Sequence, residues 1–170
     1  HGPRRRASAA ACTPPAQQSE NQTPAPTPLQ EIACNALTPD AARQVAVETP
    51  QVAVAGADLR GGELTPGTYD LTSARKLGAA TGWAGTRAVA LEVSEDAATG
   101  VVTLNWAGTT ATSAVDRWSA TLTQTPQARL TYTCGRVGDV EASFAAAPRA
   151  LELQIADGAN GELQLAFAQR

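Results

Sequence analysis

Methionine is absent from the 170 residues, lysine occurs once, as Lys76, and histidine once, as His1. A lone histidine at the chain end leaves no base inside a fold for a Ser/His/Asp or Cys/His site and no histidine-based metal site. Basic residues are scarce as well: 13 Lys and Arg stand against 16 Asp and Glu, for a net charge of −3, and only Arg4, Arg5 and Arg6 cluster. Without a basic patch the chain lacks the electrostatic footprint of a nucleic-acid binder. Apolar runs are short, and none approaches the roughly 20 residues of a bilayer-crossing helix. These absences lead us to expect a protein that is not an enzyme, carries no cofactor or metal and binds no nucleic acid.

What is present divides the chain in two. Residues 13–28 carry Pro14, Pro15, Pro24, Pro26 and Pro28 among Gln, Ser, Thr and Asn, with no aliphatic residue larger than alanine. Such a stretch buries too little apolar surface to offset the entropy of ordering it, and its prolines favour extended conformations. We expect residues 1–28 to be a disordered segment with a Pro-rich tether, and 29–170 to be one domain. Thr38-Pro39-Asp40 suggests a short helical turn over 38–43, with Thr38 as cap and Pro39 in the first position.

Beyond Gly67 the dominant signal is period two. Tyr69 and Leu71, then Val89, Leu91 and Val93, then Val102, Leu104 and Trp106 each alternate with polar or small residues. The pattern continues through Trp118, Ala120 and Leu122; Leu130, Tyr132 and Cys134; Ala142, Phe144 and Ala146; Leu151, Leu153 and Ile155; and Leu163, Leu165 and Phe167. Alternation of this kind marks strands with one buried face. Eight are expected, over 67–75, 87–95, 100–107, 116–124, 128–134, 139–146, 149–157 and 160–168. Turn residues separate them, including a type II turn at Thr65-Pro66-Gly67-Thr68 and a tight connection at Asp157-Gly158-Ala159-Asn160-Gly161.

Short antiparallel strands in sequence order, each with one apolar face, point to an all-β, eight-stranded up-and-down barrel, in which closure removes the exposed edges. A two-sheet β-sandwich is the alternative. A barrel of this size is either filled by side chains or holds one small ligand. The acidic residues Glu92, Glu152 and Glu162 fall on the outward phase and read as solvated surface. The glycine-containing runs 56–62 and 78–85 match no phosphate-binding motif and read as flexible loops. Trp83, in the second of these, is placed to close a barrel mouth or meet a partner.

Cys34 opens the folded part and Cys134 ends a strand on its inward phase, whereas Cys12 lies beyond the tether. Cys34–Cys134 is therefore the expected disulfide, which implies an oxidising compartment; two buried free thiols in a cytosolic protein are the alternative. Cys12 is left over. Ala9-Ala10-Ala11-Cys12 after Arg4-Arg5-Arg6 resembles the N-terminus of a bacterial lipoprotein, which implies lipidation of Cys12 and contact with a membrane only through that lipid. Residues 7–11 are too short and too small to form the apolar core of an export signal. A start at His1-Gly2-Pro3 is the expectation for a processed or truncated form.

The meander that follows Gly67-Thr68-Tyr69 resembles the lipocalin and calycin superfamily. Tyr69 stands where that family has a Trp, and Arg170 where it has an Arg packed over it. GTYDLTSA (67–74), LTYTCG (130–135) and the closing LELQIADGANGELQLAFAQR are similar to uncharacterised secreted proteins and lipoproteins of myxobacteria and related bacteria. These resemblances imply a bacterial cell-envelope or secreted protein, in the periplasm or at the outer membrane. Its calycin-like barrel would bind a small apolar ligand through Trp83, Leu104, Trp106, Trp118, Leu122 and Phe144. The competing expectation is a structural or protein-interaction module with a filled barrel and an envelope protein as partner.

Overall fold

The computed structural model describes residues 33–50, 59–109, 114–124 and 127–170, which belong to one compact unit, Ile32–Arg170. Cys12 and the Pro-rich stretch lie outside the described residues. The described chain is all-β, with ten strands and no helix. In chain order these are β1 (Val45–Glu48), β2 (Gly67–Gly78), β3 (Thr86–Arg87), β4 (Val89–Glu95), β5 (Val102–Thr109), β6 (Val115–Thr123), β7 (Arg129–Cys134), β8 (Asp139–Ala147), β9 (Ala150–Ala156) and β10 (Gly161–Gln169).

Eight of them, β2 and β4 to β10, form an antiparallel ring in sequence order, closed where β10 returns to β2 from Gly161↔Gly78 to Gln169↔Tyr69. Every ring strand is hydrogen-bonded to a strand on each side, so no whole strand is left as a free edge of the kind a two-sheet sandwich keeps. The alternating residues do fill the inside. Tyr69, Leu71, Leu91, Leu104, Trp106, Trp118, Leu130, Phe144, Leu153, Leu165 and Phe167 are all at most 3% exposed. Tyr69 donates its hydroxyl proton to the Thr65 carbonyl at 2.6 Å, and burial raises its pKa above the ordinary tyrosine value.

The ring is uneven at two places. Strands β2 and β4 pair only from Gly67↔Val93 to Asp70↔Ala90; beyond that β1 is wedged between them, parallel to β2 and antiparallel to β3. The wall is thus one strand wider at this end, and Val45 and Val47 pack against the core. The β7–β8 seam is short, from Arg129↔Glu141 to Thr131↔Asp139. Past it Gly61 takes the edge of β8, donating its N–H to Phe144 O at 2.7 Å and accepting from Ala146 N at 2.9 Å.

Residues 33–39 form a strap across the outer face. Asn35 Nδ2 donates to the carbonyls of Trp106 at 3.1 Å and Trp118 at 3.3 Å, and Arg117 donates to the carbonyls of Asn35 and Leu37. This outer face is otherwise small or polar, and the strap explains why Ala90, Ala107 and Asp70 are almost fully buried on the outward phase.

Four sequence expectations are corrected. Residues 38–43 hold no helical turn: Asp40 heads a β-turn, accepting Ala42 N on its side chain and Arg43 N on its carbonyl, an arrangement aspartate offers in competition with helix. Thr65–Thr68 is not a type II turn, because Gly67 already pairs with Val93 as the first residue of β2. The 79–85 connection is pinned: Thr81 and Gly82 donate to Asp157 Oδ2, Ala79 donates to Asn160 O, and Gly85 O accepts Val47 N. Finally, Cys134 faces outward. The register steps between Ser119↔Cys134 and Ala120↔Tyr132, so β7 carries one extra residue there and its side-chain phase flips. The flip brings Cys134 to the strap, where it is bonded to Cys34 with a Cα–Cα distance of 5.6 Å.

Candidate functional site

The wider end of the ring is built from the 79–88 connection and the turns 135–138 and 157–160. Aromatic residues converge there. Trp106 and Trp118 are cross-strand partners on the inward face of β5 and β6, and their rings stack with centroids 5.2 Å apart and planes at 12°. Trp83, from the pinned connection, tilts against Trp106 at 5.8 Å, and Tyr132 meets the face of Trp118 edge-on at 5.3 Å. Offset and edge contacts of this kind are the favoured aromatic geometries.

These rings border a cavity of about 330 Å³, whose floor is formed by Ile155, Leu163 and Leu165. Its rim carries Arg136, Val137 and Asp157. Val137 is 99% exposed, so the cavity reaches the molecular surface. The volume is at the small end for ligand sites.

Charge at the rim is arranged in pairs and stacks. Arg136 Nη2 donates to Asp116 Oδ2 at 3.0 Å, and the Arg136 guanidinium lies 5.8 Å from the Tyr132 ring centroid. Arg87 sits 4.7 Å over the Trp83 ring and donates to Thr109 O at 3.0 Å. Burial lowers its pKa, with Asp116 acting in the opposite sense and Arg136 in the same sense. Its Nε is the one buried side-chain polar atom without a hydrogen-bond partner among the described residues. No three His, Cys, Asp or Glu side chains converge to hold a metal among the described residues.

Of the six residues expected to contact a ligand, Trp83, Trp106 and Trp118 border this cavity. Leu104, Leu122 and Phe144 do not: they are buried deeper along the barrel, where Leu104 pairs with Ala120 and Val102 with Leu122. Phe144 instead lines a second hollow of about 490 Å³ at the β7–β8 seam, with Gly61, Gln127 and Glu141. Tyr132 was missed as a cavity residue. Tyr132 shares the inward phase of the expected core, and its place at the mouth follows from its distance along β7.

No protein-family model matches the sequence, and neither does any curated protein. Among solved structures, a de novo designed fluorescence-activating β barrel is similar, at 13% identity and a TM-score of 0.44, over 62% of this chain and 94% of that chain.

Proposed function

We propose that this chain is a non-enzymatic, exported binding protein with a calycin-like barrel, working in a bacterial envelope or secreted, with Cys12 as the point of any lipid attachment. Its ligand is a small, largely apolar molecule held at the wide end of the ring. The observation that carries this reading is the aromatic cavity of about 330 Å³ formed by Trp83, Trp106, Trp118 and Tyr132. The Cys34–Cys134 bond supports an oxidising compartment. The calycin comparison draws support from the eight-stranded meander that closes between β10 and β2. Arg170 sits at that seam, but its guanidinium engages Asp70 on the outer face, opposite the inward Tyr69 that stands for the family's Trp.

The test is a titration of the oxidised protein with small aromatic and aliphatic probes, followed by tryptophan emission. Saturable one-to-one quenching, weakened by Trp118→Ala and little changed by Leu122→Val, is the expected result; absence of saturable binding for every probe would refute it. A filled module that binds another protein is the second reading. It is favoured by the tight packing below the mouth, where Leu71, Leu91, Leu130 and Leu153 are at most 2% exposed. Intact mass of protein taken from native membranes tests the anchor, and an unmodified Cys12 would reject it.

A further inference from the structure

We infer that the strap, residues 33–39, is the positioning element of the mouth cavity: Asn35 and the Cys34–Cys134 bond hold Trp106, Trp118, Tyr132 and Arg136 in place, so that ligand affinity is linked to the oxidation of that one bond. This rests on the reading of the cavity as a ligand site and adds how the site is held and regulated.

The strap attaches to the ring at the residues that build the cavity wall. A carboxamide carries two N–H donors on one nitrogen. Those of Asn35 go to Trp106 O at 3.1 Å and Trp118 O at 3.3 Å, the carbonyls of the cross-strand pair whose stacked rings border the cavity. One side chain thus clips β5 to β6 at that pair from outside. Its orientation is fixed by the partners: Asn35 Oδ1 accepts the Leu37 N–H at 3.1 Å and Arg117 Nη1 at 3.1 Å, and a flipped carboxamide would set donor against donor and acceptor against acceptor.

The neighbouring residue, Cys34, fastens the strap to β7. On the mouth side the β6–β7 register reaches Ser119↔Cys134, so the disulfide sits at the last pair of that seam. Tyr132, two residues before Cys134, meets Trp118 edge-on, and Arg136, two residues after it, stands on the rim. Between them Gly135 lies hard against β6: a Cβ there would stand 2.3 Å from Arg117 O and 3.1 Å from Trp118 Cα. A displacement of Cys134 is therefore passed to the Trp118 backbone. Both cysteines are half-buried. A dithiol reductant breaks their bond by exchange: one thiolate attacks a sulfur, the second displaces the mixed disulfide, and Cys34 and Cys134 end as thiols while the dithiol ends as a disulfide. The ring persists, but the 132–136 segment loses its fastener and the aromatic wall its fixed spacing. A preorganised wall spares a ligand the cost of ordering it. A ligand that favours the fastened wall must oppose reduction by the same factor by which reduction weakens its binding.

The test titrates 2-naphthol, excited beyond tryptophan absorption and followed by anisotropy, against the full chain, oxidised and after reduction with dithiothreitol. The oxidised form should bind about fivefold or more tighter, the low end of ordinary coupling between sites. Saturating 2-naphthol should in turn make the bond harder to reduce by the same factor, read from the ratio of reduced to oxidised dithiothreitol at half-reduction. Asn35→Asp keeps the disulfide and the acceptor for Leu37 and Arg117 and removes both donations. It should weaken 2-naphthol about threefold or more and alter the near-ultraviolet tryptophan circular dichroism. Leu122→Val, deeper along the barrel, should lose stability and keep affinity within about twofold. Equal affinity of the oxidised and reduced forms overturns the inference and leaves the ligand site standing. An Asn35→Asp variant that matches wild type in affinity and dichroism also overturns it, as does an equal loss of affinity in Leu122→Val, which would trace the effect to stability alone. If the reduced chain does not stay folded, Asn35→Asp decides. If 2-naphthol binds neither form, the ligand-site reading fails, and the dichroism of Asn35→Asp alone decides whether the strap holds the tryptophan pair.

Discussion

Asp70 points away from the barrel interior, yet its side chain is only 2% exposed. Its neighbours Tyr69 and Leu71 fill the inside, and the strap and chain end close over the outside. Arg170 answers the buried charge with two contacts, Nη2 to Oδ1 at 2.8 Å and Nε to Oδ2 at 3.2 Å, and is anchored by a further bond to Thr38 O. A two-point guanidinium–carboxylate pair is the strong form of this interaction. The partners differ in burial, since 43% of the Arg170 side chain is open to water. Removing the arginine therefore strands a buried carboxylate, whereas neutralising the acid leaves an arginine that solvent can serve. We expect Arg170→Met to cost roughly 2–3 kcal/mol, somewhat below a fully buried pair, and Asp70→Asn to cost about 1 kcal/mol. The double variant should lose less than the sum. Urea unfolding followed by tryptophan emission measures all three, and equal costs for the two single variants would contradict the assigned asymmetry.

At the scale of the element, contact between β10 and the 79–85 connection decides whether Trp83 reaches the core. Gly161 opens β10 where a Cβ would stand 2.3 Å from Ala80 N and 2.5 Å from Asp157 O. Alanine there must push the connection outward, at about 1–3 kcal/mol by the usual cost of overpacking, and should shift Trp83 emission to the red. Gly158, in the same turn, has φ +76° and open space around it. Alanine at 158 should cost about 1–2 kcal/mol from the left-handed backbone alone, with no change in emission. A red shift in both variants, or in neither, would separate Trp83 from the Gly161 contact. The elements themselves were legible in the sequence wherever a strand is half-buried, because the wall imprints its two faces as alternation. Strands β1 and β3 are too short to carry that imprint, and they exist because β2 and β4 part beyond Asp70↔Ala90. The face of Cys134 was illegible for a different reason: one extra residue in β7 inverts the phase, and such a bulge has no fixed residue signature. Alternation likewise placed Trp106, Leu104 and Leu122 on one face but carried no depth. Only the register shows that Trp106↔Trp118 lies at the mouth while Val102↔Leu122 lies two steps farther down.

Across the whole molecule, two closures act on different lengths of chain. The β2–β10 seam joins the ends of the meander through nine residue pairs. The Cys34–Cys134 bond spans a sequence separation of 100 and ties the strap to the outside of β7. The disulfide lies outside the ring, and each ring seam makes its strand pairs without it. Its effect should therefore fall on the unfolded chain and on the strap, and the barrel should survive reduction. The chain-entropy treatment gives about 4.7 kcal/mol for a loop of this length, and natural bonds commonly deliver about 2–4 kcal/mol. We expect reduction, or the paired Cys34→Ser and Cys134→Ser change, to lower unfolding stability by about 2–4 kcal/mol while the far-ultraviolet β signature persists. Hydrogen exchange should localise the change. The Leu37 amide, bonded to Asn35 Oδ1 at 3.1 Å within the strap, should lose protection first, and the amides of β10 should keep theirs. Loss of protection in β10 together with the strap would mean that the bond holds the ring itself, and unchanged stability on reduction would mean that the strap is fixed by its hydrogen bonds to β5 and β6 alone.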